Sequence, residues 1–127
     1  MNLTPSIQLN LFEHKKTFED FAKLYQNDKL PNKIILSGEK GIGKATLAYH
    51  LINFALSEDE DNSYDYENNS INPNNKSYKL IQNKSNPNFH LIDVPQEKKN
   101  IDINQIRDLI IQLKKSSFNK KKRFVLI

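Results

Sequence analysis

The sequence predicts a parallel α/β sheet with flanking helices, and three observations predict it. Short runs rich in β-branched and aromatic residues, at 33–37, 89–94 and 123–127, alternate with segments whose apolar residues recur at helical spacing. Strands that alternate with helices pair in parallel through crossover connections. All three glycines, Gly38, Gly41 and Gly43, fall in one six-residue window between the first run and the helix after it. Average usage would scatter about nine through a chain of this length.

The elements follow in order. Thr17 can cap a first helix, with Asp20 at the capping-box position and Phe18, Phe21 and Leu24/Tyr25 on one face. Leu30-Pro31 ends that pattern. Lys33-Ile34-Ile35-Leu36-Ser37 reads as a buried strand. After the glycines, Leu47, Ala48, Leu51, Ile52 and Ala55 mark the face of a helix over 43–56. Residues 57–88 are polar and Asn-rich with no sustained period. They read as an insertion or long loop, flexible or functional, with one short helix near 77–82. Residues 89–94 form a second strand closed by Pro95, and 97–100 a turn. Asp102 and Gln105 can cap a helix whose stripe is Ile103, Ile106, Ile110 and Leu113, with Lys114 and Lys115 suiting its C-terminal dipole. A basic linker, 116–122, leads to a third strand at 123–127. Because the sequence stops inside an apolar strand, either the N-terminal piece of a longer protein or a truncated reading frame is expected.

Composition narrows the function classes. The 127 residues contain no cysteine, which excludes a disulfide framework, a cysteine-ligated metal and a cysteine nucleophile. No apolar run approaches the roughly 18–20 residues of a membrane span, and the N-terminus lacks a basic start followed by an apolar core. A cytoplasmic location without a membrane partner is therefore expected. Lys and Arg number 19 against 15 Asp and Glu, a net charge of +4. That permits nucleic-acid binding, but the excess of lysine and asparagine also reads as AT-rich coding bias.

The glycine window carries the chemistry. Gly38-Glu39-Lys40-Gly41-Ile42-Gly43-Lys44-Ala45-Thr46 lies between a strand and a helix, the context a phosphate-binding loop needs. Gly41 and Gly43 let the backbone approach an anion, and successive N–H groups with the helix N-terminus make a concave anion site. Lys44 would reach the β- and γ-phosphates as a flexible point charge. The full pattern, G-x-x-x-x-G-K-[ST], is broken at one place. Ala45 stands where a hydroxyl would bind Mg²⁺, and Thr46 is rotated by about 100° around the helix. ATP or another nucleotide can therefore be held, Mg²⁺ is weakly placed, and efficient hydrolysis is not expected. The alternative is a glycine-rich strand–helix turn that binds nothing.

At these residues the chain resembles the AAA+ P-loop domain of clamp loaders, and more narrowly the delta-prime branch of bacterial DNA polymerase III. Leu11-Phe12-Glu13-His14 resembles an N-terminal Leu-x-Gly-His element, with Glu13 where glycine is usual. Leu30-Pro31 resembles the approach to the first strand. Asn86-Pro87-Asn88-Phe89 resembles the His-Pro-Asp that opens the second. Ile101-Asp102-Ile103-Asn104-Gln105-Ile106-Arg107 resembles an Ile-x-Val-Asp-Gln-Ile-Arg helix start, and Phe124-Val125-Leu126-Ile127 the Walker B strand short of its aspartate. The resemblance spans most of the chain outside 57–88. It implies residues 1–127 as the N-terminal part of an AAA+ domain, incomplete at its C-terminus. It implies a rigid member of a hetero-pentamer that loads the sliding clamp at primed DNA, with other clamp-loader subunits as partners and little hydrolysis of its own. Many relatives carry a four-cysteine zinc module where 57–88 lies. With no cysteine here, no zinc role carries over.

Weaker signals remain. The resemblance makes Arg107 a candidate DNA-phosphate contact, against a solvated surface arginine. Lys114, Lys115, Lys120, Lys121, Lys122 and Arg123 could touch a DNA backbone, against a solvated basic loop. His14, His50 and His90 lack metal-ligand spacing and read as structural or surface residues. The acidic run 58–61 lacks a calcium-loop pattern and reads as a solvated, disordered face. Two alternatives stay open beside the delta-prime reading. One is an active AAA+ ATPase, either the loader's motor subunit or a DNA-repair ATPase. The other is a small P-loop kinase or NTPase, which the Gln105-Ile106-Arg107 region disfavours.

Overall fold

The computed structural model describes residues 4–31, 33–36, 43–91, 103–114 and 123–126. They form a small α/β structure in two compact units, Met1–Lys84 and Ser85–Ile127. The first holds a 3-10 turn at Pro5–Ile7 and helices α1 (Lys15–Gln26), α2 (Lys44–Leu56) and α3 (Lys76–Gln82). The second holds strand β1 (Phe89–Leu91), helix α4 (Ile103–Lys114) and strand β2 (Phe124–Leu126).

In the first unit α2 is the central element, packed against α1, α3 and the 3-10 turn. α1 begins earlier than the Thr17 cap would place it. His14 turns the chain in the left-handed region at φ 63°, and its carbonyl accepts the N–H of Phe18 at 2.9 Å. Thr17 therefore lies inside the helix, because the first i→i−4 bond is already closed at His14. Asp28, also left-handed at φ 57°, ends α1. Its N–H reaches the Tyr25 carbonyl at 3.0 Å, and the Lys29 N–H reaches Leu24 at 2.8 Å, which satisfies two orphan carbonyls. The expected face of α1 is buried: Phe18 and Ala22 are fully covered, with Phe21 and Tyr25 against the core. Leu11, Leu47, Leu51, Phe54, Tyr64 and Ile71 complete that core, with Leu36 packed on its flank. The Phe18 ring meets Phe54 edge-on at 5.9 Å between centroids and Tyr64 at 5.2 Å.

Residues 57–84 differ from the loose loop expected of them. Asp65 and Ser70 exchange backbone bonds at 2.9 and 3.1 Å around a turn closed by left-handed Asn69. The Asp65 carboxylate accepts from the backbone and side chain of Asn68, and these bonds hold it below the usual carboxylate range. Ser70 also bridges Asn10, while Leu11 donates to Asn69 and Ile71 to Leu9. The expected short helix is present as α3, and its first turn is fully capped. Asn75 Oδ1 accepts the Tyr78 N–H at 2.7 Å. The Glu60 carboxylate accepts the N–H groups of Lys76 and Ser77 at 2.6 and 3.3 Å, and the Ser77 hydroxyl. Glu60 is thus a helix cap, not part of a solvated, disordered acidic face. The physical reason the segment orders is that Tyr64 and Ile71 lend apolar surface to the core while Ser57, Asn75 and Ser77 find hydrogen-bond partners.

The second unit supplies the parallel pairing. Phe89, His90 and Leu91 pair with Phe124, Val125 and Leu126, and α4 lies between the strands in sequence. The Asn86–Phe89 turn that opens β1 is closed by Asn86 Oδ1 accepting the Asn88 N–H at 2.9 Å; the Asn88 carbonyl then accepts from Phe124 at 2.7 Å. α4 forms as expected, but its isoleucines do not line a core. Ile103, Ile106 and Ile110 are exposed, as is Ile111. The side chain of Leu113, the Asp102 cap, the turn at 97–100, the linker and residues 92–94 lie outside the described residues.

The first expected strand is corrected. Residues 33–36 have no strand geometry, and Ile35 is 91% exposed. A run of β-branched residues holds a strand only when a neighbour takes its N–H and C=O groups, and among the described residues only β1 and β2 form named strands. Among the described residues no helix is long and apolar enough to cross a membrane.

Candidate phosphate-binding site

Of the nine loop residues singled out, Gly38, Glu39, Lys40, Gly41 and Ile42 lie outside the described residues; Gly43, Lys44, Ala45 and Thr46 are described. Gly43 is the N-cap of α2 at φ 79°, and its carbonyl accepts the Leu47 N–H at 3.0 Å. That conformation is the one glycine adopts without cost, and it aims the open end of the helix at whatever precedes it. A Cβ at Gly43 would meet the His14 ring at 3.7 Å and the Glu13 carboxylate at 3.9 Å, ordinary contact distances. Gly43→Ala should therefore destabilise by about 1 kcal/mol through backbone strain rather than a clash, read as a lowered melting temperature. An unchanged melt would mean the left-handed turn is not required.

Lys44 is half-buried at the first position of α2, Ala45 is exposed and Thr46 half-buried. Ala45 carries no side-chain oxygen, and Thr46 follows it one position, about 100°, further around the helix. Arg107 is exposed on α4, in the other unit. Of the basic cluster only Arg123 has a described side chain. It lies near His90, whose pKa is lowered by burial and then by that positive charge. Among the described residues no three His, Cys, Asp or Glu side chains converge as a metal site.

The residues that sequence reasoning missed lie along α2 behind this loop. α2 is buried on nearly all sides, not on one face. His50, Asn53 and Ser57 form a polar row at i, i+3 and i+7, with 0%, 1% and 0% exposure. His50 Nε2 contacts the Gln8 carbonyl at 2.9 Å and Nδ1 the Tyr64 hydroxyl at 2.7 Å. A carbonyl only accepts, so Nε2 carries the proton and Nδ1 accepts from Tyr64. The ring is neutral, and burial pushes its pKa down, against a smaller opposing effect of the Gln8 bond. Burial likewise pushes the Tyr64 phenol up. The signal was available: three hydrogen-bonding residues at helical spacing within an otherwise apolar run.

The open helix N-terminus, the glycine turn before it and the parallel strand pair define an α/β protein with a candidate anion-binding end. Residues 13–127 match the family described as DNA polymerase III, delta subunit, and the chain belongs to that family. It is a clamp-loader-type DNA polymerase III subunit, with a role in DNA replication. No curated protein matches the chain.

Proposed function

We propose that this chain is a delta-prime-type clamp-loader subunit, a rigid component of a hetero-pentameric ring that helps load the sliding clamp at primed DNA in the cytoplasm. Family membership supports the setting. The single observation that carries the finer reading is Ala45 at the second position of α2, directly after Lys44. In this reading residues 38–46 are a P-loop within the N-terminal part of an AAA+ domain. The backbone N–H groups and Lys44 hold phosphate, and Mg²⁺ is only weakly placed, because Ala45 lacks the hydroxyl that would bind it. Arg107 is proposed as a DNA-phosphate contact.

Titration calorimetry with Mg·ATP, alongside a phosphate-release assay, tests this. The native chain is expected to bind weakly or not at all and to show no turnover. Ala45→Thr should tighten Mg·ATP binding, and Lys44→Ala in that background should weaken it about tenfold or more. Turnover by the native chain at ordinary AAA+ rates would overturn the reading in favour of an active ATPase. No response to Ala45→Thr would show that the loop is not a working phosphate site.

A further inference from the structure

The buried polar row of α2 does not end on the helix. Its bonds run without interruption from the N-terminal segment to α3. The Gln8 carbonyl accepts from His50, and His50 accepts from the Tyr64 hydroxyl. The Tyr64 N–H donates to Ser57 Oγ at 3.0 Å, and the Ser57 hydroxyl to Asn53 Oδ1 at 3.3 Å. Asn53 and Asn75 exchange amide bonds at 3.2 and 3.0 Å. Asn75 Oδ1 then accepts from the Tyr78 N–H at the start of α3. That last bond fixes the amide orientation, because an NH₂ group cannot accept; the Asn75 nitrogen must face the Asn53 oxygen. Both amide oxygens use both lone pairs. Asn53, Ser57 and Asn75 are each at most 1% exposed, so the bonds among them and to Tyr64 are made away from water, where a lost partner is costly, while the two end bonds, to Gln8 and from Tyr78, are part-buried.

The clamp-loader resemblance associates this stretch with a zinc module, and the residues present do not fit one. The chain has no cysteine, and among the described residues no three acidic or histidine side chains converge. We propose that residues 57–82 are a metal-independent subdomain, locked onto α2 by the Asn53–Asn75 amide pair and the Ser57–Tyr64–His50 chain. The lock closes the ends of the segment against one helix. That closure is what a tetrahedral metal achieves for a short polar segment too small to build its own apolar core.

The full chain tests this. Its melting temperature should be the same in EDTA and in added zinc, and the Tyr64 and Tyr78 amides should exchange slowly. Limited proteolysis should cut within 57–75 about tenfold faster in Asn53→Ala or Asn75→Ala than in the native chain. The double variant should be no worse than the weaker single one, since the two side chains act as one unit. A melting temperature raised by zinc or lowered by EDTA would overturn the proposal. So would fast exchange at Tyr64 and Tyr78 in the native chain, a readout that holds even if a variant fails to fold.

Discussion

Phe18→Ala is expected to cost about 3–5 kcal/mol, a large share of the roughly 5–15 kcal/mol that holds a whole domain together. Phe18 has no exposed surface and is the one α1 side chain that meets Phe54 of α2, Tyr64 and Tyr66 together, at 5.9, 5.2 and 6.0 Å between ring centroids. Its removal leaves a cavity at the point where three segments converge. Those rings are held by other bonds and cannot all collapse into it. Tyr64 is fixed through its hydroxyl to His50, and Tyr25, which meets Phe54 edge-on, donates to the Ala55 carbonyl at 3.3 Å. Burial and the neighbouring Glu58 push the Tyr25 phenol up to about 12, so that donor keeps its proton at any ordinary pH. Urea titration followed by circular dichroism measures the loss. A cost under about 1 kcal/mol would show that the aromatic cluster is not the centre of the unit.

The second large effect is a loss of stability in mild acid. His50 is neutral in the folded chain and its pKa lies below 6.5, whereas in the unfolded chain it titrates near 6.5. The unfolded state therefore binds the extra proton first. Stability is fully present above about pH 6.5 and falls as the pH drops through that value, by up to about 1.4 kcal/mol per pH unit until the folded ring itself protonates. The groups facing the ring are Gln8 from the N-terminal segment and Tyr64 from the opposite side, with Asp65 beside Tyr64. Neither Gln8 nor Tyr64 offers a negative charge to hold a second ring proton. His90, lowered by burial and by Arg123, adds a contribution of the same sign in the second unit. Asp65 acts only at lower pH, because its depressed carboxyl loses its contribution in the acid range. Melting curves between pH 8 and pH 5 measure the effect. His90→Gln should leave most of the slope in the first unit, and His50→Gln should flatten it. A flat profile in the native chain would mean the His50 ring has access to an acceptor for its second proton.

Where local pattern settled structure, the sequence was readable. The α2 boundaries, the start of β1, the β2 strand, α3 and the buried face of α1 follow from periodicity and from Gly43. What escaped depends on contacts distant in sequence. Glu60 becomes a helix cap only because 57–75 folds back to bring it to α3, sixteen residues on. His14 displaces Thr17 as the start of α1 because a left-handed residue outside glycine carries no sequence mark. The run at 33–37 has strand composition, yet pairing partners decide a strand, and composition cannot name them. At the candidate site, Gly43 and Ala45 were legible residue by residue, as was the missing hydroxyl. The polar row behind them shows in the sequence only as a spacing, His50, Asn53 and Ser57 within an apolar run; which groups they bond is set by Gln8, Tyr64 and Asn75, far away in sequence.

The two faces of α2 differ in how they respond to sliding. An apolar face such as Leu47, Leu51 and Phe54 accepts a shift of one helical turn, about 5.4 Å, by exchanging one large side chain for another. The row of His50, Asn53 and Ser57 does not. A shift would set each donor against the wrong acceptor, three times over. That row works like the teeth of a key, giving α2 one axial position among several that packing alone would accept. Gly43, seven residues before His50, inherits that fixed position, so the N-terminus of α2 is held in axial register by bonds made about two turns away.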